Sequence, residues 1–92
     1  MITSFKHKGL KLYYHTGNKK GIDSKHAAKI GRILDRLDAS KNAADMDLPG
    51  YRLHKLKGKD KDRWSVWVSE NWRITFQFDG EDAVIVDYLD YH

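Results

Sequence analysis

Six side chains in the second half of this 92-residue chain are suited to acid–base work on a phosphodiester: His54, Lys57, Arg73, Asp90, Tyr91 and His92. Cleavage of RNA by its own 2′-hydroxyl needs one group to take the 2′ proton and another to protonate the leaving 5′ oxygen. It also needs cations to offset charge on the phosphorane. The set holds two imidazoles, two cations, a carboxylate and a phenol. Each member also has an ordinary role. His54 beside Lys57 suits plain surface, Arg73 can pair with Asp87 across strands, Tyr91 can join a core, and His92 ends the chain. The set acts together only if the fold brings it together.

Other chemistries find less support. His54, Asp90 and His92 are metal-ligand types, but Asp-x-His is no zinc pattern, and Lys57 and Arg73 would repel a cation. No nucleophile-elbow sequence supports a serine triad. The seven glycines are scattered, so no glycine-rich loop cradles a nucleotide. No cofactor is expected.

These residues sit in a chain whose periodicity changes midway. Residues 2–5 are a short β-prone opening. Residues 7–15 carry Leu10, Tyr13 and Tyr14 at helical spacing, and Thr16-Gly17-Asn18 stops that helix. Asp23 or Ser24 caps a second helix, whose apolar stripe is Ala27, Ile30, Ile33, Leu34 and Leu37. Lys25, Lys29, Arg32 and Arg36 lie largely off that stripe. Residues 39–48 have room for one more helical turn. Pro49-Gly50 is the strongest break.

Beyond the break the period is two. Trp64, Val66 and Val68 alternate with Ser65, Trp67 and Ser69. Trp72, Ile74, Phe76 and Phe78 alternate with Arg73, Thr75 and Gln77. Glu70-Asn71 and Asp79-Gly80 connect the strands. Residues 83–88, apolar on both faces, predict a third and central strand. Residues 51–56 predict a fourth, with Arg52 and His54 on one face and Leu53 on the other. Helices followed by a meander predict an α+β fold, helices packed on one face of an antiparallel sheet. A central last strand would deliver Asp90, Tyr91 and His92 to a sheet edge or cleft.

Size and charge bound the remaining classes. Ninety-two residues make one domain, residues 1–92. There is no cysteine, so the chain folds on packing alone, which suits a reducing cytoplasm. No apolar run approaches the ~20 residues of a membrane span, and the opening lacks a signal-peptide core. Lys and Arg number 17 against 13 acidic residues, for a net charge of +4. Six of those cations fall between Arg52 and Arg63, whereas the segment from Asp79 onward holds five acidic residues and no Lys or Arg. Arg52, Lys55, Lys59, Lys61 and Arg63 are the candidates for binding an RNA phosphate backbone, with a salt-dependent affinity.

Several segments carry a resemblance. They are the opening from Met1 to Leu10, Leu53-His54-Lys55-Leu56-Lys57-Gly58, the run from Trp64 to Phe78, and the ending Asp90-Tyr91-His92. In that order and at those separations they resemble the HigB toxins of type II toxin–antitoxin modules, in the RelE superfamily. The likeness spans the whole chain and is weakest from Thr16 to Gly50. It implies a RelE-like fold and a metal-independent endoribonuclease that cuts mRNA in the ribosomal decoding site, leaving a 2′,3′-cyclic phosphate and a 5′-hydroxyl. It implies a HigA-type helix-turn-helix antitoxin, through which alone the toxin meets operator DNA. Carried over by position, His54, Lys57, Arg73, Asp90, Tyr91 and His92 match the site of the HigB branch. His92 and Asp90 would be the acid/base pair, Lys57 and Arg73 would steady the phosphate, and Tyr91 would stack on or position a base. One departure is visible: Asp62 stands near where relatives often carry a glycine shortly before the tryptophan. The rivals are a gyrase-targeting RelE relative of the ParE kind, without such a site, and a plain RNA-binding module.

Overall fold

Local signals at each helix end are met by hydrogen bonds. In this computed structural model, which describes residues 1–58 and 62–91, helix α1 spans Lys8–Thr16. The Nδ1 of His7 accepts from the Leu10 N–H at 3.1 Å and caps the start. Gly17, at φ 78°, closes the end by donating its N–H to the Tyr13 carbonyl at 2.8 Å. Asp23 caps a short 3-10 turn, Ser24–His26, that runs into helix α2, Ala27–Ala39. All five stripe residues of α2 are buried, as its 3.6-residue period predicts. The extra turn is a 3-10 segment, Ala43–Met46, capped by Asn42, and it buries Met46.

Four antiparallel strands follow in the order β1 (His54–Lys55), β2 (Trp64–Ser69), β3 (Trp72–Asp79) and β4 (Asp82–Asp90). Val66 stands opposite Ile74, and Ile74 opposite Tyr88. These three, with Phe76 and Val86, form the sheet side of the core. Leu10, Ile30, Ile33 and Leu37 form the helix side, each contributing about 1.5–3 kcal/mol on full burial. The α+β expectation holds. Among the described residues no helix is long and apolar enough to cross a membrane.

Hydrogen bonds to α2 and to β4 lock the N-terminus to this frame. Asp38 Oδ1 accepts from the Ile2 N–H at 2.8 Å and from the Tyr14 hydroxyl at 2.7 Å. That one carboxylate joins the opening segment, α1 and α2. Residues 2–5 form isolated parallel bridges rather than a strand: Ile2 with Ala83 and Phe5 with Val86.

Two strand expectations are corrected. The segment 83–88 is not central. It belongs to β4, the last strand in the order, and the N-terminal bridges lie along its outer edge. Its double apolar face comes from a bulge. The register slips between Thr75 and Gln77, and Ile85 sits at φ 53° and is 42% exposed. The extra residue reverses the side-chain phase, so Ala83 and Val86 are both fully buried. The strand expected at 51–56 shrinks to His54–Lys55. Gly50 at φ 84° and Arg52 at φ 51° turn the backbone out of the pleat before it can pair.

Candidate active site

The exposed face of the sheet, opposite the helices, carries a cleft of about 440 Å³. Arg52, Leu53, His54, Leu56, Ser65, Arg73 and Tyr91 line it. His54 reaches it from β1, opposite Ser65. Arg73 reaches it from β3, opposite Trp67 on one side and Leu89 on the other. Tyr91 arrives at the end of β4, where its N–H donates to the Asn71 carbonyl at 2.8 Å. Leu53 was expected on the other face. It shares this cleft because the turn at Arg52 breaks the alternation.

Arg73 is half-buried, and one nitrogen anchors its guanidinium. Nη1 donates to the carbonyls of Glu70 and Trp72, each at 3.2 Å. Asp87 does not face it; the register sets Asp87 against Thr75, and its Oδ1 accepts from the Tyr88 N–H. A guanidinium fixed by backbone carbonyls keeps a rigid donor fork for phosphate.

The other expected site residues are placed differently. Lys57 is exposed and is not among the lining residues. Asp90 pairs with Trp72, so the register puts it on the sheet face opposite to that of Arg73. His92, Lys59 and Lys61 lie outside the described residues. Arg63 turns inward, donating through Nη2 to Thr75 Oγ1 at 2.7 Å and to the Ile85 carbonyl at 2.8 Å. Lys55 Nζ stands 5.6 Å from the centre of the Trp64 ring. Among the described residues no group of three His, Asp or Glu could hold a metal ion.

Residues 3–92 match the family model of HigB-like toxins, described as the RelE-like toxin of the type II toxin–antitoxin system HigB. The chain belongs to that family. It is 44% identical over 92 residues to Endoribonuclease HigB of Proteus vulgaris, covering all of both chains. It is 33% identical over 95 residues to Toxin HigB-1 of Vibrio cholerae serotype O1, covering all of this chain and 98% of the other.

In this HigB-like toxin, sequence reasoning missed two features of the cleft. Ser65 lines it, buried and paired with His54 across β1 and β2. Trp67 stands beside it, with the Arg52 guanidinium carbon and Lys29 Nζ each 4.2 Å from its ring centre. Burial, and then the nearby Arg32 and Arg52, hold the Lys29 ammonium below its ordinary pKa. The parity of the strand was the available signal. Trp67 alternates with Val66 and Val68 and faces Arg73, so it belongs to the polar face.

Proposed function

We propose that this toxin is an endoribonuclease that cuts mRNA on the ribosome through the cleft between β1, β3 and the end of β4. The observation that carries the reading is the meeting of His54, Arg52, Arg73 and Tyr91 around one cleft. The name of the Proteus vulgaris relative supports the same activity. The 2′-oxygen attacks phosphorus, the P–O5′ bond breaks, and the products are a 2′,3′-cyclic phosphate and a 5′-hydroxyl. His54, which lines the cleft, and His92 are the groups for proton transfer. Arg73 and Arg52 offset charge on the phosphorane, so the protein's own cations do this without a metal. Tyr91 supplies a ring on which a base can stack. Lys57, Lys59 and Lys61 supply positive charge for binding ribosomal RNA.

Ribosomal RNA would supply the alignment that a shallow site cannot, worth several kcal/mol of the barrier. Action there would place the toxin in the cytoplasm. A HigA-type helix-turn-helix antitoxin would bind the toxin and carry it to operator DNA.

The test compares single-turnover cleavage of ribosome-bound and naked mRNA, for the parent and for Arg73→Ala. The parent should cut bound message far faster than naked message. Arg73→Ala should lower the rate by ~10²–10³ while remaining folded, and Arg73→Lys should recover only part of it. Equal rates on bound and naked message would end the ribosome requirement. A parental rate in Arg73→Ala would end the cleft reading. Broken DNA without cleaved messages would mark the gyrase-targeting kind.

A further inference from the structure

Trp67 is the largest side chain at the cleft that takes no part in the hydrophobic core. Trp64 and Trp72 both pack against that core, whereas Trp67 is half-buried outside it. Two of its contacts lead to the arginines of the cleft. The indole Nε1 donates to the Glu70 carbonyl at 2.8 Å. The same oxygen accepts from Arg73 Nη1 at 3.2 Å. A carbonyl oxygen has two lone pairs and can hold both donors at once. Glu70 sits at φ 52° in the tight β2–β3 turn, a conformation uncommon for a residue with a side chain. The ring face of Trp67 carries the guanidinium of Arg52 at 4.2 Å. The Trp67 backbone N–H donates to the Tyr51 carbonyl at 2.7 Å, one residue before Arg52. Lys29, also at 4.2 Å, ties the same ring to α2.

We propose that Trp67 is a positioning residue that sets both arginines of the cleft, Arg52 through its ring face and Arg73 through the shared Glu70 carbonyl. The inference rests on the reading of the cleft as the cleavage site. Arg52 leaves a turned segment that has not yet joined the sheet, so its long side chain would otherwise sample many rotamers. A cation over an aromatic face restricts that freedom without neutralising the charge. Arg73 has the opposite problem. It is fixed by carbonyls, and the donor beside it helps hold the turn that aims one of them. Misplacing a charge-stabilising group by an ångström is enough to lose most of its effect.

The experiment measures single-turnover cleavage at saturating ribosomes for the parent, Trp67→Leu, Trp67→Phe, Arg73→Ala and the Trp67→Leu/Arg73→Ala double variant. Antitoxin binding and urea midpoints report the folded fraction. Trp67→Leu should cleave about ten- to a hundredfold more slowly per folded molecule, with unchanged ribosome affinity. Trp67→Phe keeps a ring face for Arg52 but no N–H for Glu70, and should fall between Leu and the parent. In the Arg73→Ala background, Trp67→Leu should cost clearly less than it does alone, because part of its effect runs through Arg73. A parental rate per folded molecule in Trp67→Leu, or full additivity with Arg73→Ala, would overturn the proposal while leaving the cleft reading intact. If Trp67→Leu fails to fold, a parental rate in Trp67→Phe overturns it instead. A parental rate in Arg73→Ala overturns the cleft reading and this inference together.

Discussion

Arg63 and Thr75 are joined across the sheet by a 2.7 Å hydrogen bond from the guanidinium Nη2 to the hydroxyl Oγ1. Thr75 is fully buried, and the same nitrogen donates to the carbonyl of Ile85 at the β4 bulge. Arg63 Nη1 is also buried and has no hydrogen-bond partner among the described residues. A cation read from sequence as an RNA contact therefore pins the start of β2 to β3 and β4. Arg63→Ala would leave Thr75 and Ile85 short of a donor, at a cost of roughly 1–3 kcal/mol. The urea midpoint should drop accordingly. The salt dependence of ribosome binding should stay as in the parent, because no phosphate contact is lost. A flatter salt dependence with an unchanged midpoint would restore Arg63 to the RNA-facing surface.

Stability should fall at both ends of the pH range through the Tyr14–Asp38 pair. The Tyr14 hydroxyl, then burial, then the N–H of Ile2 act on Asp38, and the net effect holds its carboxyl below the usual range. A depressed carboxyl contributes stability above its unfolded pKa of about 3.9, and that stability is lost as pH falls through the lower folded value. The hydrogen bond to Asp38, with burial and the Asp38 and Asp35 charges, pushes Tyr14 up to about 12. A raised phenol contributes below its unfolded pKa of about 10, and the contribution disappears as pH climbs towards the folded value. Tyr14→Phe should therefore cost about 1 kcal/mol near neutrality, allowing for solvent screening at this half-exposed site. The difference from the parent should shrink below pH ~4 and above pH ~10. Urea midpoints across pH check this; a difference that stays constant would remove the pair from the pH response.

Deleting Asp90, Tyr91 and His92 removes one cleft ring and one group proposed for proton transfer, and neither Asp90 nor Tyr91 belongs to the core. Chain ends tolerate truncation well when they carry no packing. The shortened toxin should stay folded and bind its antitoxin, yet cleave ribosome-bound message at least a hundredfold more slowly, since acid–base groups typically contribute ~10²–10⁴. His92→Gln alone should show much of this loss, because Gln cannot exchange protons near neutral pH. Cleavage at the parental rate in His92→Gln would leave His54 as the proton-transfer group at the cleft.

Features that depend on neighbours a few residues apart were legible in the chain alone. The stripe from Ala27 to Leu37 and the limits of β2 were legible because one buried face imposes its period on the chain. The caps at Asp23 and Gly17 are likewise local hydrogen bonds or backbone preferences. The candidate site was legible as a set of residue types and, for His54, Arg73 and Tyr91, as a shared location. The remaining features rest on contacts between distant segments. The bulge at Ile85 is held by Ser4 Oγ on one side and Arg63 on the other, so an apolar run that reads as a central strand becomes an outer one. Asp90 and Tyr91 part to opposite faces because register, which no local pattern states, chooses the side each residue takes. Trp67 looks from its spacing like any alternating strand aromatic. Its role at the cleft arises where Arg52, Glu70 and Arg73 meet it in space, and a hydrogen bond or a cation over a ring is set by three-dimensional distance rather than by separation along the chain.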